Sequence, residues 1–307
     1  MNHLFVIDPW VSLKPYKDSS LELIRAALER NHSVSVVEAN GLSLNEGQVV
    51  AHCQLVHGKP MALNELVQIT PLAEFDCVWM RLDPPVDGHY LNITHLLSLA
   101  QQQGVRVVNS PQALRDFNEK LAIFNFPEWI APTCVSAQFS EIRAFIRDQK
   151  TVILKPLDGM GGAQIYKVEP NDPNLSVILE ALTEQEQRVI MAQRYLPEIQ
   201  EGDKRVLMVQ GKPLPWCLAR YPKGGETRGN LAAGGRGVAQ ELLQADRAIA
   251  ESVGPWLVEQ GIVLAGLDII GHYLTEINIT SPTCFREIRD QVGFDGASAL
   301  IEAIEKD

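Results

Sequence analysis

The sequence lacks the usual devices for stapling, anchoring or electrostatically tethering a chain. Its five cysteines, Cys53, Cys77, Cys134, Cys217 and Cys284, are odd in number and widely spaced, and no Cys-x-x-Cys occurs. That fits neither a disulfide framework nor a zinc site, and leaves small buried hydrophobes of a reducing compartment. No apolar run could cross a bilayer, since the most apolar stretch, 261–270, is short and contains Asp268. Residues 1–10 have no basic leader and Asp8 interrupts their apolar run, so no signal peptide is expected. Positive charge is also scarce: the net charge is −11. This argues against nucleic acid, which needs a basic surface, but not against a nucleotide, which needs only a local cluster of Lys and Arg. The seven histidines show no H-E-x-x-H spacing, and no Ser-His-Asp or Cys-His set suggests itself. There is no G-x-x-x-x-G-K-[ST] loop, no G-x-G-x-x-G turn and no internal repeat.

What is present is an ordinary globular composition, 46% hydrophobic and 21% charged, in 307 residues, enough for two or three lobes. The first third alternates strand and helix patterns: strands at 4–7, 33–38, 76–81 and 105–109, with helices at 21–30 and 93–103. Ser19 and Glu22 have capping-box spacing. Such alternation predicts a parallel sheet with helices on its faces, and ligands sit at the carboxyl ends of such strands, here Asp8, Arg81, Asp83 and Asn109. After about residue 118 the pattern changes. Strands are expected at 151–157 and 189–193. Hairpins are expected from 205–210 with 214–220 and from 263–270 with 273–279, with helical character between 240 and 260.

Four groups of residues carry chemistry. Lys155 ends a strand and is followed by Gly159, Gly161 and Gly162, so a lysine and open backbone N–H groups could meet phosphate; a plain hairpin turn is the alternative. Residues 223–237 contain six glycines among fifteen positions, interleaved with Lys223, Arg228 and Arg236. That suits a cationic lid that excludes water, or a solvated linker. Glu276 and Asn278 share a strand face with Asp268 roughly opposite, an oxygen set suited to Mg²⁺, or simply solvated carboxylates. Arg205 and Arg220 lie at the mouth of a hairpin whose pairing should bring them together, either around an anion or free in solvent. Together they describe phosphoryl transfer without a protein nucleophile.

At these residues the sequence resembles the ATP-grasp superfamily, and within it prokaryotic glutathione synthetase. The resemblance rests on Lys17-Asp18-Ser19-Ser20, Met80-Arg81-Leu82-Asp83-Pro84-Pro85, Val108-Asn109-Ser110-Pro111, Asn118-Glu119-Lys120-Leu121, 154–162, 191–197, Gly202-Asp203-Lys204-Arg205, 224–237 and 266–283, in the family's order along nearly the whole chain. It implies an α/β (α+β) ATP-grasp fold with an N-terminal parallel-sheet pre-ATP-grasp domain at 1–118, a central ATP-grasp lobe at 119–196, and a C-terminal lobe at 197–307 bearing the Gly-rich lid and metal site. It implies that Lys120 and Lys155, with Gly159, Gly161 and Gly162, contact ATP phosphates. Gln193, Tyr195 and Leu196 would hold the adenine, with Asp203 near the nucleoside. Asp268, Glu276 and Asn278 would bind two Mg²⁺ ions, for which Mn²⁺ could substitute. Arg205, Arg220, Arg228 and Asn230 would surround the transferring phosphoryl group. Asp18, Ser19, Arg81, Ser281, Pro282 and Thr283 would help bind the peptide substrate and glycine.

The activity so implied is ATP-dependent ligation of γ-glutamylcysteine with glycine through an acyl phosphate, in the cytoplasm, by a homotetramer that binds neither nucleic acid nor membrane. Other ATP-grasp ligases share this chemistry but not the lid sequence. A regulator that had lost catalysis would not need Asp268, Glu276 and Asn278 together. A carboxylase subunit would need a biotin-accepting Met-Lys, which is absent.

Overall fold

The protein is described by a computed structural model covering residues 1–306. The first sheet is built from β1 (Asn2–Ile7), β2 (Ser33–Glu38), β3 (Leu42–Asn45), β4 (Gln48–His57), β5 (Ala62–Pro71), β6 (Cys77–Met80) and β7 (Val107–Val108). Helices α1 (Ser19–Glu29), α2 (Gly88–Gln102) and α3 (Pro111–Asp116) alternate with these strands. The order is β3-β4-β2-β1-β6-β7, with β5 on the far side of β4. Strands β2, β1, β6 and β7 are parallel, as the alternation predicts.

The sheet is not parallel throughout, however. Residues 42–71 add an antiparallel arm that the sequence reading passed over. Its signal was present: along β4, Val49, Ala51, Cys53 and Val56 are buried between exposed Gln48, His52 and His57, the period of a half-buried strand. Glu46 and Gly47, both at positive φ, make the two-residue turn before it.

Two further expectations need correction. Asp18, not Ser19, caps α1: its Oδ1 accepts from the Leu21 N–H at 2.9 Å, so Ser19 is the first helical residue and the Ser19/Glu22 capping box does not form. Helix α2 begins at Gly88 rather than near Ile93, because Asp87 caps it through the Tyr90 N–H.

The middle sheet has the order β10-β9-β11-β8. It comprises β8 (Thr133–Ser136), β9 (Val152–Pro156), β10 (Tyr166–Val168) and β11 (Ile190–Arg194), backed by α4 (Phe139–Gln149) and α5 (Leu175–Thr183). The third sheet is antiparallel, in the order β14-β13-β12-β15-β16. Its strands are β12 (Asp203–Val209), β13 (Lys212–Tyr221), β14 (Arg236–Glu241), β15 (Leu264–Ile270) and β16 (Tyr273–Asn278). Helix α6 (Gln244–Glu259) precedes β15, and α7 (Phe285–Val292) and α8 (Gly296–Lys306) end the described chain. Helix was expected from 240, but Gln240 and Glu241 complete β14 against Cys217 and Trp216; the pairing edge of β13 overrides local propensity.

Core packing joins the first sheet to the third, and Met191 of the middle sheet also enters that cluster. Leu4, Val6 and Met80 of the first sheet pack into one apolar cluster with Val206, Leu267 and Ile277 of the third. A second cluster joins Phe5 and Trp79 to Leu207, Leu264 and Ile301. Each fully buried Leu or Ile stabilises this joint by about 1.5–3 kcal/mol. Asn109 adds a polar stitch: its amide donates to the Leu264 and Ile279 carbonyls at 2.7 Å, while its Oδ1 accepts from the Val263 and Leu264 N–H groups at 2.9 Å. The middle sheet keeps its own core of Ile142, Ile146, Leu154, Leu179 and Ile190.

Candidate active site

The three sheets face a common cleft of about 590 Å³, lined by every residue to which the resemblance gives a site role except Pro282; Asn109, expected at a ligand-facing strand end, and Lys223 and Arg236 of the glycine-rich segment do not line it. On the third sheet, register sets the charges. Asp268 on β15 is opposite Arg205 on β12 and opposite Glu276 on β16. Arg205 and Arg220 do not pair with each other across their hairpin, because Arg220 stands opposite Asp203 and Arg205 opposite Leu218. Instead they share Asp268. Arg205 donates to its Oδ1 at 2.5 Å and its Oδ2 at 3.0 Å, and Arg220 lies 2.9 Å from Oδ2. Arg220 also donates to Asp203 Oδ2 at 2.6 Å. The anion that two adjacent arginines require is thus Asp268.

Burial would push the Asp268 carboxyl up, but the two guanidinium groups outweigh it and hold Asp268 well below the usual carboxylate range. Asp203 goes the other way, up to about 6, because burial and the charge on Asp268 exceed the pull of Arg220. Its Oδ1 is buried without a partner among the described residues.

Two lysines reach this carboxylate face from the other elements. Lys120, in the linker after α3, donates to Gly159 O at 2.6 Å and Glu276 Oε1 at 2.9 Å. Burial alone would lower its pKa, but Glu276 outweighs burial and raises it. Lys155, at the end of β9, donates to Gln193 Oε1 at 3.2 Å and Thr275 O at 3.4 Å. Burial, with Lys120 adding to it, lowers Lys155 to about 8. A desolvated ammonium with only neutral acceptors is prepared to pair with an incoming anion. The Gln193 side chain is committed at both ends, to Lys155 and to Thr133 Oγ1 at 3.0 Å, so it orients the lysine. Tyr195 carries Lys167 over its ring at 4.1 Å, and Leu196 and Ile199 supply apolar wall.

The two glycine-rich segments meet. Arg228 donates to the Gly162 carbonyl at 2.9 Å. A Cβ on Gly162, whose φ is +84°, would stand 2.7 Å from Asn230 Oδ1, and one on Gly161 would stand 3.4 Å from Ala232. Glycine is needed here for close approach as well as for positive φ. Segment 223–237 therefore lies over the turn after Lys155, and Arg228 and Asn230 are the residues it sets down there. Arg228 is held in turn by Glu226 at 2.5 Å.

At the other end of the cleft, Arg81 donates through Nε to Ser20 Oγ and through Nη2 to Pro282 O, both at 3.1 Å. This brings the start of α1, with Asp18 and Ser19, against the turn containing Ser281, Pro282 and Thr283. Burial lowers the Arg81 pKa, and neighbouring Asp83, Asp18 and Asp8 oppose the shift.

The sequence reading missed Glu119. Its Oε1 accepts from the Ile279 N–H at 2.7 Å and from the Thr280 N–H and Oγ1 at 2.9 Å, while its carbonyl takes the Ile277 N–H at 2.9 Å. Burial and Glu276 raise its pKa. Its place next to Lys120 was the available signal.

The oxygen donors suit a hard divalent cation. Asp268 and Glu276 are cross-strand partners, and the Asn278 amide nitrogen donates to Gly266 O at 3.0 Å, so its amide oxygen is the atom able to ligate. Among the described residues no group of three His, Cys, Asp or Glu could hold a metal alone. A cation here would need the amide and outside oxygens such as phosphate, the habit of Mg²⁺.

A family model described as prokaryotic glutathione synthetase, ATP-grasp domain, matches residues 119–293, and one described as prokaryotic glutathione synthetase, N-terminal domain, matches 1–115. Glutathione synthetase of Neisseria meningitidis serogroup A is 50% identical over 313 residues, covering 99% of this chain and 98% of its own. That of Nitrosomonas europaea is 47% identical over 318 residues, with 100% and 98% covered. Among solved structures, the ATP-grasp ligase PsnB complexed with minimal precursor, Mg and ADP superposes with a TM-score of 0.66 at 17% identity, covering 99% of this chain and 97% of that one. D-cycloserine synthetase DcsG gives 0.68 at 15%, with 99% of each chain covered. At such identities the two structures show the fold alone.

Proposed function

The chain belongs to the prokaryotic glutathione synthetase family and is an ATP-grasp ligase, and from that premise we propose that it joins the cysteinyl carboxylate of γ-glutamylcysteine to the amine of glycine, with ATP converted to ADP and phosphate. The observation that carries this reading is the meeting of the two glycine-rich segments, Arg228 on Gly162, over a cleft that holds Lys120, Lys155, Asp268, Glu276 and Asn278 together.

In the first step the peptide carboxylate attacks the γ-phosphorus of ATP and ADP leaves, giving an acyl phosphate. Lys120 and Lys155 hold phosphate oxygens, and the turn at Gly159, Gly161 and Gly162 offers backbone N–H groups to them. Bound Mg²⁺, two ions with Mn²⁺ able to substitute, supplies further charge neutralisation and is held by Asp268, Glu276 and Asn278. The adenine rests against Gln193, Tyr195 and Leu196, with Asp203 near the nucleoside. Arg205 and Arg220, pre-aligned by Asp268, stabilise charge growing on the transferred group, joined by Arg228 and Asn230 from the lid. In the second step the glycine amine attacks the acyl carbon and phosphate leaves through a tetrahedral intermediate. The lid keeps water from the acyl phosphate meanwhile. Asp18, Ser19, Arg81 and the turn Ser281, Pro282 and Thr283 help bind the peptide substrate and glycine.

The proposed lobes are 1–118, 119–196 and 197–307, each containing one of the three sheets. No helix among the described residues is long and apolar enough to cross a membrane, and the proposed setting is the cytoplasm, as a homotetramer, without nucleic acid. Phosphate release should require ATP, Mg²⁺, γ-glutamylcysteine and glycine together, with D-alanine as the control substrate. Equal turnover of D-alanine without γ-glutamylcysteine would overturn the assignment.

A further inference from the structure

The linker between the first sheet and the middle sheet does more than deliver Lys120, because each of residues 118, 119 and 120 grips a different neighbour. Glu119 is bonded to β16 and the residues after it, through its carbonyl and its side chain. Lys120 bridges Gly159 O and Glu276. Asn118 has no part in the two ligation steps. Its Oδ1 accepts from the Lys120 N–H at 3.0 Å and from the Leu121 N–H at 3.1 Å, and its Nδ2 donates to the Leu157 carbonyl at 3.0 Å. One planar amide thus orients the backbone that carries Lys120 and, from its other end, holds the residue that opens the glycine turn.

The turn is gripped at three carbonyls: Leu157 by Asn118, Gly159 by Lys120 and Gly162 by Arg228. These donors are not equivalent. Lys120 and Arg228 are charged, and an incoming phosphate competes with a neutral carbonyl for either of them. Asn118 is uncharged and has no such pull toward an anion. Leu157 is held on its apolar side as well, since it packs against the cluster that joins the first and third sheets. The peptide plane after Leu157 is therefore fixed, and the glycines that follow it start from a set direction.

On the reading that this turn and Lys120 hold ATP phosphates, on which this rests, we propose that Asn118 is a positioning residue for the nucleotide. It fixes the separation between the glycine turn and Lys120, so that both meet the same phosphates. When nucleotide draws Lys120 and Arg228 away from their carbonyls, Asn118 keeps the turn in place. Asn118 touches no substrate and acts through Leu157 and Lys120. The competing role is a plain cap of the linker, in which only Oδ1 counts.

Asn118→Asp and Asn118→Ser separate the two roles. Both side chains keep an acceptor for the Lys120 and Leu121 N–H groups, and neither brings an N–H to Leu157. Their melting temperatures should stay within about 2 °C of wild type. The KM for ATP and the calorimetric Kd for ADP should nonetheless rise about 3- to 10-fold, the range of one neutral hydrogen bond. The KM for γ-glutamylcysteine should not move. Wild-type ADP affinity in both variants overturns the proposal and leaves Asn118 a cap. Weakening in Asn118→Asp alone overturns it too, since the added charge would then be the cause. A wild type that binds ADP but ligates no γ-glutamylcysteine would remove the substrate reading only, because the ADP titration needs no peptide and still decides the role of Asn118.

Discussion

Glu276 reaches Lys120 across 156 residues of sequence, its Oε1 2.9 Å from the lysine nitrogen. The pair closes the cleft floor between the linker and the third sheet, and it sets two candidate functions against each other. A lysine bound to Glu276 is not free for phosphate, and a glutamate bound to Lys120 is not free for a cation. Binding Mg²⁺ and ATP together resolves this, because each partner then exchanges one opposite charge for another.

Glu276→Gln should therefore raise the Mg²⁺ concentration needed for half-maximal activity by at least about tenfold, one charged contact's worth. It should also leave Lys120 partly buried without its counter-charge. Magnesium titration of initial rates, alongside denaturant unfolding, separates the two effects. An unchanged metal requirement would remove Glu276 from the metal set.

Gly162→Ala places a Cβ 2.7 Å from Asn230 Oδ1 at a φ of +84°. The lid residues and the phosphate-facing turn must shift together, so ligation should slow by about 10- to 100-fold and ATP binding should weaken with it. Arg228→Ala disturbs the lid from the other side and should slow ligation far more than it weakens ATP binding. For both, the measurement is phosphate released per glutathione formed. A lid that guards the acyl phosphate predicts a ratio that climbs above one as water enters.

Glu119→Ala removes three hydrogen bonds to Ile279 and Thr280 and should lower the melting temperature by about 2–3 °C, from about 1–2 kcal/mol of net loss. Glu119→Gln keeps an acceptor at the same place and should recover most of it. Equal melting temperatures for the two variants would show that the charge, not the acceptor, matters.

His3 offers a pH prediction. Trp79 Nε1 can only donate, so His3 Nδ1 at 3.1 Å accepts. His3 must then donate through Nε2 to His32 Nδ1 at 2.9 Å, and His32 through its own Nε2 to Glu305 at 2.9 Å. Burial, with His32 next, lowers His3 from 6.5 to about 4. Because the folded value lies below the unfolded one, stability is complete above about pH 6.5 and is lost as the pH falls toward 4, by up to about 3 kcal/mol. His3→Phe should flatten the difference in urea midpoint between pH 7.5 and pH 5. An identical slope in wild type and variant would exclude His3 as the cause.

Parts of the fold and of the candidate site were legible in the sequence, for identifiable reasons. The parallel strands β1, β2 and β6 announce themselves by short apolar runs between helical periods, and the two hairpins of the third sheet by Gly211 and Gly271. The opposition of Asp268 and Glu276 was legible only roughly: the length of the turn alone would set Asp268 against Thr275, and a register shift between Asp268 and Ile269 moves it onto Glu276. What escaped depends on non-local choices. The arm at 42–71 alternates clearly only on β4, since β5 is exposed on both faces. The pairing of Arg220 with Asp203 turns on a register that no local pattern specifies. Glu119 is a single carboxylate whose partners lie 160 residues away, and nothing in its neighbourhood announces them.

The apolar clusters that weld the first sheet to the third also tie the two ends of the chain. Helix α8 closes over α1, where Ile301 and Ile304 share a cluster with Phe5 and Ile24. During synthesis the opening strands leave the ribosome long before their cover exists. The first sheet must wait, with its apolar side bare, for the last helix, and a chain cut short ahead of Gly296 should emerge sticky and prone to precipitation rather than as a smaller working enzyme.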